Sequence, residues 1–135
     1  MSRYLLDTNI LSDLMRNPQG VIQQALSSRH TDDDVFTSII VAAEIRFGAA
    51  KRGSTRLAHQ AETVLSGMDV RAFSIPAENA YADIRCALEG AGAPIGGFDM
   101  LIAAHALALD AILVTDNTRE FERVPGLKIE NWLRD

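Results

Sequence analysis

Four acidic residues occupy positions from which an α/β chain could bring them together: Asp7, Glu44, Asp99 and Asp116. Asp7 follows the short apolar run Leu5-Leu6, and Asp116 follows Val114-Thr115. Ligands of open parallel sheets bind beyond the carboxyl ends of the strands, so we expect both carboxylates to project into one crevice. The alternative for each residue is that it only caps the helix that follows.

Glu44 is predicted to lie in the middle of a helix, on the face that also carries Ile40 and Phe47. These apolar neighbours predict that the face points at the core. A buried carboxylate without a partner is costly, so Glu44 would need pairing, protonation or a bound metal ion. The alternative is that Glu44 lies at the edge of the buried stripe and reaches water.

Asp99 begins the most apolar predicted helix, directly after Gly96-Gly97. Glycines there allow a ligand to approach the backbone closely, although Asp99 could also serve only as an N-cap. Carboxylates that share one pocket repel one another, and a cation relieves that repulsion. Oxygen ligands select Mg²⁺ or Mn²⁺, and the sequence has no Cys/His zinc spacing. Such an ion could activate water for phosphodiester cleavage.

The elements that must position these acids alternate between strand and helix. Strands are predicted at 3–7, 34–37, 70–75, 111–115 and 126–130, and helices at 9–15, 21–26, 39–51, 57–65, 78–89 and 99–109. The branched apolar run 111–115 is typical of a strand buried on both faces, and the alternating run 126–130 indicates a strand nearer an edge. The sequence therefore predicts a three-layer α/β/α domain with a central, mostly parallel sheet.

Length and composition narrow the class of protein. The 135 residues are expected to form one domain over 1–135, and no apolar run is long enough for a membrane span. The single cysteine, Cys86, excludes an internal disulfide and suits a cytoplasmic location. With 13 basic and 18 acidic residues the net charge is −5, which argues against nucleic-acid binding by bulk charge. It does not exclude a nucleic-acid enzyme whose acids bind metal ions.

Basic residues are instead clustered locally, after the predicted Glu44 helix. Lys51 and Arg52 lie there, with Arg46 one or two turns earlier, and the three could hold the phosphates of a nucleic acid. The alternative is an ordinary solvated face.

Four blocks in order carry a resemblance to a known family: LDTNIL at 6–11, SIIVAAEIRFG at 38–48, PIGGFDMLIAAHA at 94–106, and VTDNTREF at 114–121 followed by PGLKIENW at 125–132. These blocks span nearly the whole chain. They resemble the PIN-domain nucleases, and most closely the VapC-type toxins of bacterial type II toxin–antitoxin systems.

The resemblance implies that Asp7, Glu44 and Asp99 hold Mg²⁺ or Mn²⁺ and activate water for RNA cleavage. For the fourth acid, Asp116 is preferred because the end of a strand is a fixed position, and Glu120 is the other candidate. Asn9 and Thr115 look like groups that orient the Asp7 carboxylate.

The resemblance also implies partners. The RNA substrate would be a transfer or ribosomal RNA, and a VapB-type antitoxin would bind the apolar face of the first helix, 10–15, beside the helix near 57–65. Operator DNA would be contacted only through the antitoxin, and the toxin itself would form a homodimer.

Two other functions stay open from the sequence. A haloacid-dehalogenase-like phosphatase also begins with a strand that ends in Asp, but it needs a second Asp two residues later, where this chain has Asn9. A non-catalytic antitoxin-binding module would use the acids only as caps. It would fold and bind its partner without metal-dependent activity.

Overall fold

The computed structural model describes residues 1–134. In this part of the chain the strands are β1 (Arg3–Leu6), β2 (Asp34–Ser38), β3 (Val70–Arg71), β4 (Ile112–Val114) and β5 (Ile129–Glu130). The helices are α1 (Thr8–Arg16), α2 (Val21–Ser27), α3 (Ile39–Arg52), α4 (Thr55–Ser66), α5 (Ala77–Gly90), α6 (Gly97–Ala108) and α7 (Thr118–Phe121). None of the helices within 1–134 is both long enough and apolar enough to cross a membrane.

The strands form one sheet in the order β3-β2-β1-β4-β5, and every neighbouring pair is parallel. In the centre, Leu5 of β1 lies opposite Phe36 of β2 on one side and Leu113 of β4 on the other. All carboxyl ends therefore meet at one edge of the sheet, which is where ligands of such sheets bind. The helices flank this sheet, so the predicted three-layer α/β/α architecture is confirmed.

Apolar side chains on both faces of the central strands explain why helices cover both faces of the sheet. Leu5, Leu6, Leu113 and Val114 are all fully buried, as expected for a parallel sheet between helix layers. Helix α6 is also enclosed, and its buried face consists largely of alanines, which permit close packing. The core thus fixes the strand ends and the helix that carries Asp99 relative to one another.

Several helix boundaries follow from local signals in the sequence. Ser38 Oγ accepts a hydrogen bond from the Ile40 N–H at 3.0 Å, and Ser54 Oγ accepts one from the Leu57 N–H at 3.1 Å. These contacts make the two serines the N-caps of α3 and α4. Gly53 ends α3 in the left-handed conformation, with φ of 63°, which glycine adopts without steric cost.

The two edge strands are shorter than predicted. The predicted strand 70–75 is only Val70–Arg71, because its partner β2 ends at Ser38 and leaves no backbone to pair with later residues. The last strand likewise covers only Ile129–Glu130, opposite Leu113 and Val114. Helix α7 was not predicted, since its four residues are too few to show a helical period.

Candidate active site

A cleft of about 350 Å³ opens at the carboxyl edge of the sheet. We call it the acidic cleft, and it is lined by Asp7, Thr8, Asn9, Ser12, Arg16, Glu44, Asp99 and Asn117. It contains three of the four acids singled out in the sequence. They come from the end of β1, the middle of α3 and the first turn of α6.

Asp7 is both a helix cap and a wall of the acidic cleft. Its Oδ1 accepts a hydrogen bond from the Thr8 N–H at 2.7 Å, and its Oδ2 accepts one from Thr115 Oγ1 at 2.8 Å. The residue is only 4% exposed. Burial raises the pKa of the Asp7 carboxyl, while the hydrogen bonds from Thr115 and Thr8 partly offset that rise. Asp7 therefore caps α1, as the alternative held, and also lies in the cleft, as expected from its place at the end of β1.

A network of hydrogen bonds joins Asp7 to the segment after β4. Asn9 Nδ2 donates to Thr115 Oγ1 at 3.3 Å and, at 3.5 Å, to Asp7 Oδ2. Asn9 Oδ1 accepts from the Asp116 N–H at 3.0 Å, and Thr115 Oγ1 accepts from the Asn117 N–H at the same distance. The contacts to Asp7 expected of Asn9 and Thr115 are thus present, and they hold the carboxylate in one orientation.

Glu44 lies beside the acidic cleft, but not for the reason predicted. Phe47 on the same face is 65% exposed, so this face does not point at the core. Helix α3 packs through Val41, Ala42, Ile45 and Ala49 instead, which leaves Glu44 half-buried at the border of the packed face. Its Oε1 accepts a hydrogen bond from Thr8 Oγ1 at 2.9 Å.

Asp99 is a second perturbed acid of the cleft, beside Asp7. The N-cap of α6 is Gly96, so the capping alternative for Asp99 is wrong. Burial and the negative charges of Asp7, Glu120 and Glu44 raise the pKa of the Asp99 carboxyl from 3.8 to about 7. Because the carboxyl is only half-buried and solvent screens it, that difference corresponds to about 2 kcal/mol. It exceeds the roughly 1 kcal/mol by which a helix N-terminus usually favours a carboxylate, so desolvation and repulsion dominate here.

Asp116 is not brought into this group, which corrects the preference stated from the sequence. Its Oδ1 accepts hydrogen bonds from Asn131 Nδ2 and Arg134 Nε, both at 2.9 Å. These bonds lower the pKa of the Asp116 carboxyl, and the residue does not line the acidic cleft. Asn9 accepts the hydrogen bond of the Asp116 backbone N–H. The Asp116 side chain points instead towards the C-terminal segment, where Asn131 and Arg134 bind it.

Glu120, the other candidate, acts on Asp99, although it too is absent from the lining of the acidic cleft. Its negative charge and a hydrogen bond contribute to the raised pKa of Asp99, and its Oε2 is 3.5 Å from Asn117 Nδ2. We define the acid cluster as Asp7, Glu44, Asp99 and Glu120. The sequence could not decide between the two candidates, because the partners of Asp116 come from the C-terminal segment, far along the chain.

The donor set of the acid cluster suits a hard divalent cation. All of its donors are carboxylate oxygens, and their mutual repulsion would fall on binding Mg²⁺ or Mn²⁺. Within residues 1–134 no three acidic, histidine or cysteine side chains are already close enough to surround an ion. Mg²⁺ commonly keeps several waters and binds only one or two carboxylates, so a complete protein cage is not required.

The three basic residues predicted to hold RNA lie in different surroundings. Arg46 forms an ion pair with Glu62 of α4, and the Lys51 ammonium lies 5.9 Å from the centre of the Phe47 ring. Only Arg52 lines a groove that adjoins the acidic cleft. Arg16, which was not predicted, lines both. Its signal was the helical spacing Thr8, Ser12, Arg16, which places all three on one face of α1.

Comparison with known proteins adds independent information. The family model described as "PIN domain" matches residues 4–127. The chain is 35% identical over 130 residues to "Ribonuclease VapC2" of Rickettsia felis, covering 96% of this chain and 97% of the relative. It is 34% identical over 133 residues to the "tRNA(fMet)-specific endonuclease VapC" of Shigella flexneri, covering 98% of this chain and 99% of the relative.

Solved structures are similar over the same extent. A VapBC2 complex from Rickettsia felis, bound to a DNA fragment from its promoter, has a chain that superposes with a TM-score of 0.86 at 34% identity, covering 96% of this chain and 98% of that one. A chain of a DNA-bound VapBC complex from Salmonella typhimurium superposes with a TM-score of 0.87 at 31% identity. The match covers 98% of this chain and 99% of that one.

Proposed function

The chain belongs to the PIN-domain family, among the VapC-type ribonucleases, and from this premise we propose that it is a divalent-metal-dependent endoribonuclease that acts as the toxin of a toxin–antitoxin pair. The observation that carries the metal dependence is the acid cluster, in which burial and the negative charges of the neighbouring acids together raise the pKa of Asp99 to about 7. Membership of the PIN family also rules out the phosphatase alternative. We propose further that residues 1–135 form a single PIN domain that acts in the cytoplasm.

In the proposed reaction Asp7, Glu44 and Asp99 hold the cation, and Glu120 adds negative charge at its edge. A bound Mg²⁺ or Mn²⁺ would supply polarisation of the scissile phosphate and a lower pKa for the attacking water. The chain itself supplies orientation. Thr115 and Asn9 fix the Asp7 carboxylate, and the Thr8 hydroxyl fixes Oε1 of Glu44. Fixed donors of this kind reduce the reorganisation that the reaction would otherwise require.

The proposed substrate is a structured RNA, and the relative from Shigella flexneri makes initiator transfer RNA the first to test. A ribosomal RNA is the second. The chain's net charge of −5 implies that affinity for RNA comes from local cations beside the cleft and not from bulk charge.

The proposed inhibitor is a VapB-type antitoxin that binds a groove on the helical side of the molecule. This apolar groove has a volume of about 460 Å³ and lies between α1, α2 and α4, with Leu14, Met15, Leu26, Val64 and Met68 among its lining residues. It coincides with the helix faces predicted to receive an antitoxin. The related complexes from Rickettsia felis and Salmonella typhimurium, both VapBC bound to DNA, support an antitoxin as the partner. We propose further that operator DNA is contacted only through the antitoxin and that the toxin forms a homodimer.

The test is metal-dependent cleavage by the purified chain. Transfer and ribosomal RNA are incubated with Mg²⁺, with Mn²⁺ or with a chelator, using wild type and Asp7→Asn, Glu44→Gln and Asp99→Asn. Each variant is expected to lose about hundred-fold or more in rate, because each removes a ligand of the catalytic ion.

Asp116→Asn is the matched control for this test. It removes the same charge from a carboxylate that Asn131 and Arg134 hold outside the cleft, so it should retain activity. Cleavage that survives both chelation and Asp99→Asn would contradict the metal mechanism. A wild-type chain that binds its antitoxin but cleaves no RNA would instead establish the non-catalytic binding module.

A further inference from the structure

Five polar side chains are buried within residues 1–134, and two of them, Asp7 and Thr115, belong to the hydrogen-bond network of the acidic cleft. The other three are Thr37, Ser38 and His105, each no more than 1% exposed. Thr37 and Ser38 end β2, and His105 lies in α6. A buried polar group costs free energy unless it is hydrogen-bonded, so the partners of these three side chains indicate what they do.

Ser38 and His105 form a hydrogen bond between two helices. Ser38 Oγ already accepts the N–H of Ile40, so its own O–H is free to donate, and His105 Nδ1 lies 2.7 Å away. Burial lowers the pKa of His105, so the ring is neutral and Nδ1 can accept. Phe73 packs against the ring at 5.4 Å between centroids. The histidine is therefore held in one orientation, with Nδ1 towards the start of α3.

This bond lies six residues from each of two acids of the acid cluster. Glu44 follows Ser38 by six positions, and Asp99 precedes His105 by six. At 1.5 Å per residue, each acid is about 9 Å along its helix from the bond. Helix α6 packs mainly on α5 and much less on α3. The bond between Ser38 and His105 therefore has a large share in fixing α6 against α3.

Thr37 extends this connection to the third acid. Its Oγ1 donates a hydrogen bond to the Leu6 carbonyl at 2.7 Å, and the next residue is Asp7. The end of β2 thus contacts the backbone before Asp7, begins the helix that carries Glu44, and bonds to the helix that carries Asp99. The segments of all three proposed metal ligands are joined at this point.

The relative position of these segments matters because a small divalent ion tolerates little variation in its ligand distances. Mg²⁺ requires near-octahedral geometry, with ligands at about 2.0–2.1 Å. Replacing a residue that orients a metal ligand commonly lowers metal affinity or activity by about 10- to 100-fold. A displacement of α6 against α3 by roughly 1 Å would therefore be enough to impair the site.

We propose that His105 is a positioning residue of the reaction, which acts through Ser38 to set the spacing between Asp99 and Glu44 around the cation. This rests on the proposed function and deepens it. His105 is enclosed by the protein, so it contacts neither the RNA nor the ion.

The experiment compares His105→Leu with His105→Asn in the full chain. Leu and Asn have similar shapes, but only Asn can hydrogen-bond to Ser38, with its amide near the place of Nδ1. Binding of Mn²⁺ to the metal-free chain is followed by electron paramagnetic resonance of the free ion. His105→Leu is expected to weaken Mn²⁺ binding about tenfold, and His105→Asn to stay within about threefold of wild type. Ser38→Ala breaks the same contact from the other side and should resemble His105→Leu.

Cleavage of RNA is then measured against Mn²⁺ concentration. In His105→Leu the half-saturating Mn²⁺ concentration should rise about tenfold, and saturating Mn²⁺ should recover most of the rate. A residue needed only for folding would reduce the amount of active protein, which lowers the maximum rate and leaves the half-saturating concentration unchanged. Ser54→Ala is the control, because it removes a capping hydroxyl from α4, where no histidine is bound. It should leave Mn²⁺ binding unchanged.

Equal Mn²⁺ affinity of His105→Leu and wild type would overturn the proposal. So would equal, weakened binding by His105→Leu and His105→Asn, since the volume of the ring would then be what matters. The double variant Ser38→Ala/His105→Leu should bind no more weakly than Ser38→Ala, because the contact they share is already lost. Additive losses would show that His105 does not act through Ser38. A wild-type chain that binds no Mn²⁺, or that cleaves RNA in a chelator, would instead contradict the proposed function itself.

Discussion

The position of Asp7 gives one side chain a part in folding and, in the proposed reaction, a part in the chemistry. One carboxylate oxygen caps α1 and the other is held by Thr115 at the end of the neighbouring strand. A loss of activity on changing Asp7 therefore combines a catalytic effect with a structural one. Asp99 is the cleaner residue to test, because Gly96 caps its helix.

Asp99→Asn is predicted to stabilise the metal-free protein at alkaline pH. The pKa of Asp99 is about 7 in the folded chain against 3.8 as its ordinary value. Stability is therefore unaffected by Asp99 below about pH 4, falls as pH rises towards 7, and stays low above it. Removing the charge should recover about 2 kcal/mol at pH 8, because the carboxyl is only half-buried and solvent screens it.

Urea unfolding with a chelator, near pH 4 and near pH 8, measures this effect. Asp116→Asn is the control, and we expect it to lower the stability at neutral pH where Asp99→Asn raises it. The pKa of Asp116 is lowered in the folded chain, so its negative charge contributes to stability. Added Mg²⁺ should stabilise the wild type more than Asp99→Asn, since a ligand of the folded state stabilises it by mass action. An Asp99→Asn variant that is less stable than wild type at both pH values would contradict the repulsion among these acids.

Sequence spacing found Asp7 and Asp99 because strand ends and helix starts are local features. It also placed Glu44 near these acids, but for a wrong reason, since the face of α3 that is packed depends on distant partners. It overlooked Arg16, although the helical spacing from Thr8 and Ser12 places all three residues on one face of α1. It also misplaced Asp116, whose hydrogen-bond partners lie at 131 and 134.

At the scale of elements, a buried contact joins the two helices that carry Glu44 and Asp99. His105 Nδ1 of α6 lies 2.7 Å from Ser38 Oγ, which also caps α3. His105 is 1% exposed, and burial lowers its pKa, so the ring is neutral at physiological pH. The contact therefore fixes the N-terminal end of α3 against α6.

Ser38→Ala is predicted to destabilise the protein by about 2–4 kcal/mol. Loss of the N-cap accounts for about 1 kcal/mol, and a buried histidine nitrogen left without its partner accounts for roughly 1–3 more. Ser54→Ala is the matched control, because Ser54 caps α4 without such a histidine, and it should cost only about 1 kcal/mol. Equal losses in urea unfolding would show that the His105 contact contributes nothing.

The element order was predictable because strand and helix periods differ and because glycine, proline and capping serines mark the boundaries. The lengths of the edge strands were not, because they depend on how far the neighbouring strand extends. β3 stops where β2 turns into α3, and the apolar residues at 73 and 75 gave no sign of it.

At the scale of the whole molecule, the apolar groove and the acidic cleft lie on different parts of the surface. Two adjacent residues of α1 face different sites, because Met15 lines the apolar groove and Arg16 lines the acidic cleft. A partner bound in the groove is thus near the cleft without having to fill it, so binding and catalysis can be changed separately.

Val64→Asp is predicted to weaken antitoxin binding more than tenfold while RNA cleavage stays intact. Val64 lines the apolar groove and is only partly buried, so the charge is tolerated in the free chain but is desolvated in the complex. Asn79→Asp adds the same charge to an exposed position on α5 and should have no effect. Binding is measured by titration of the cognate antitoxin; an unchanged affinity for Val64→Asp would place the antitoxin elsewhere.

The central position of β1 has a consequence during protein synthesis. This strand emerges first from the ribosome, yet it lies between β2 and β4, and β4 is translated only near residue 112. Asp99 and Glu120 also arrive late. An unfinished nascent chain therefore contains no assembled cleft, so the acid cluster cannot form before the segment through Glu120 has been translated.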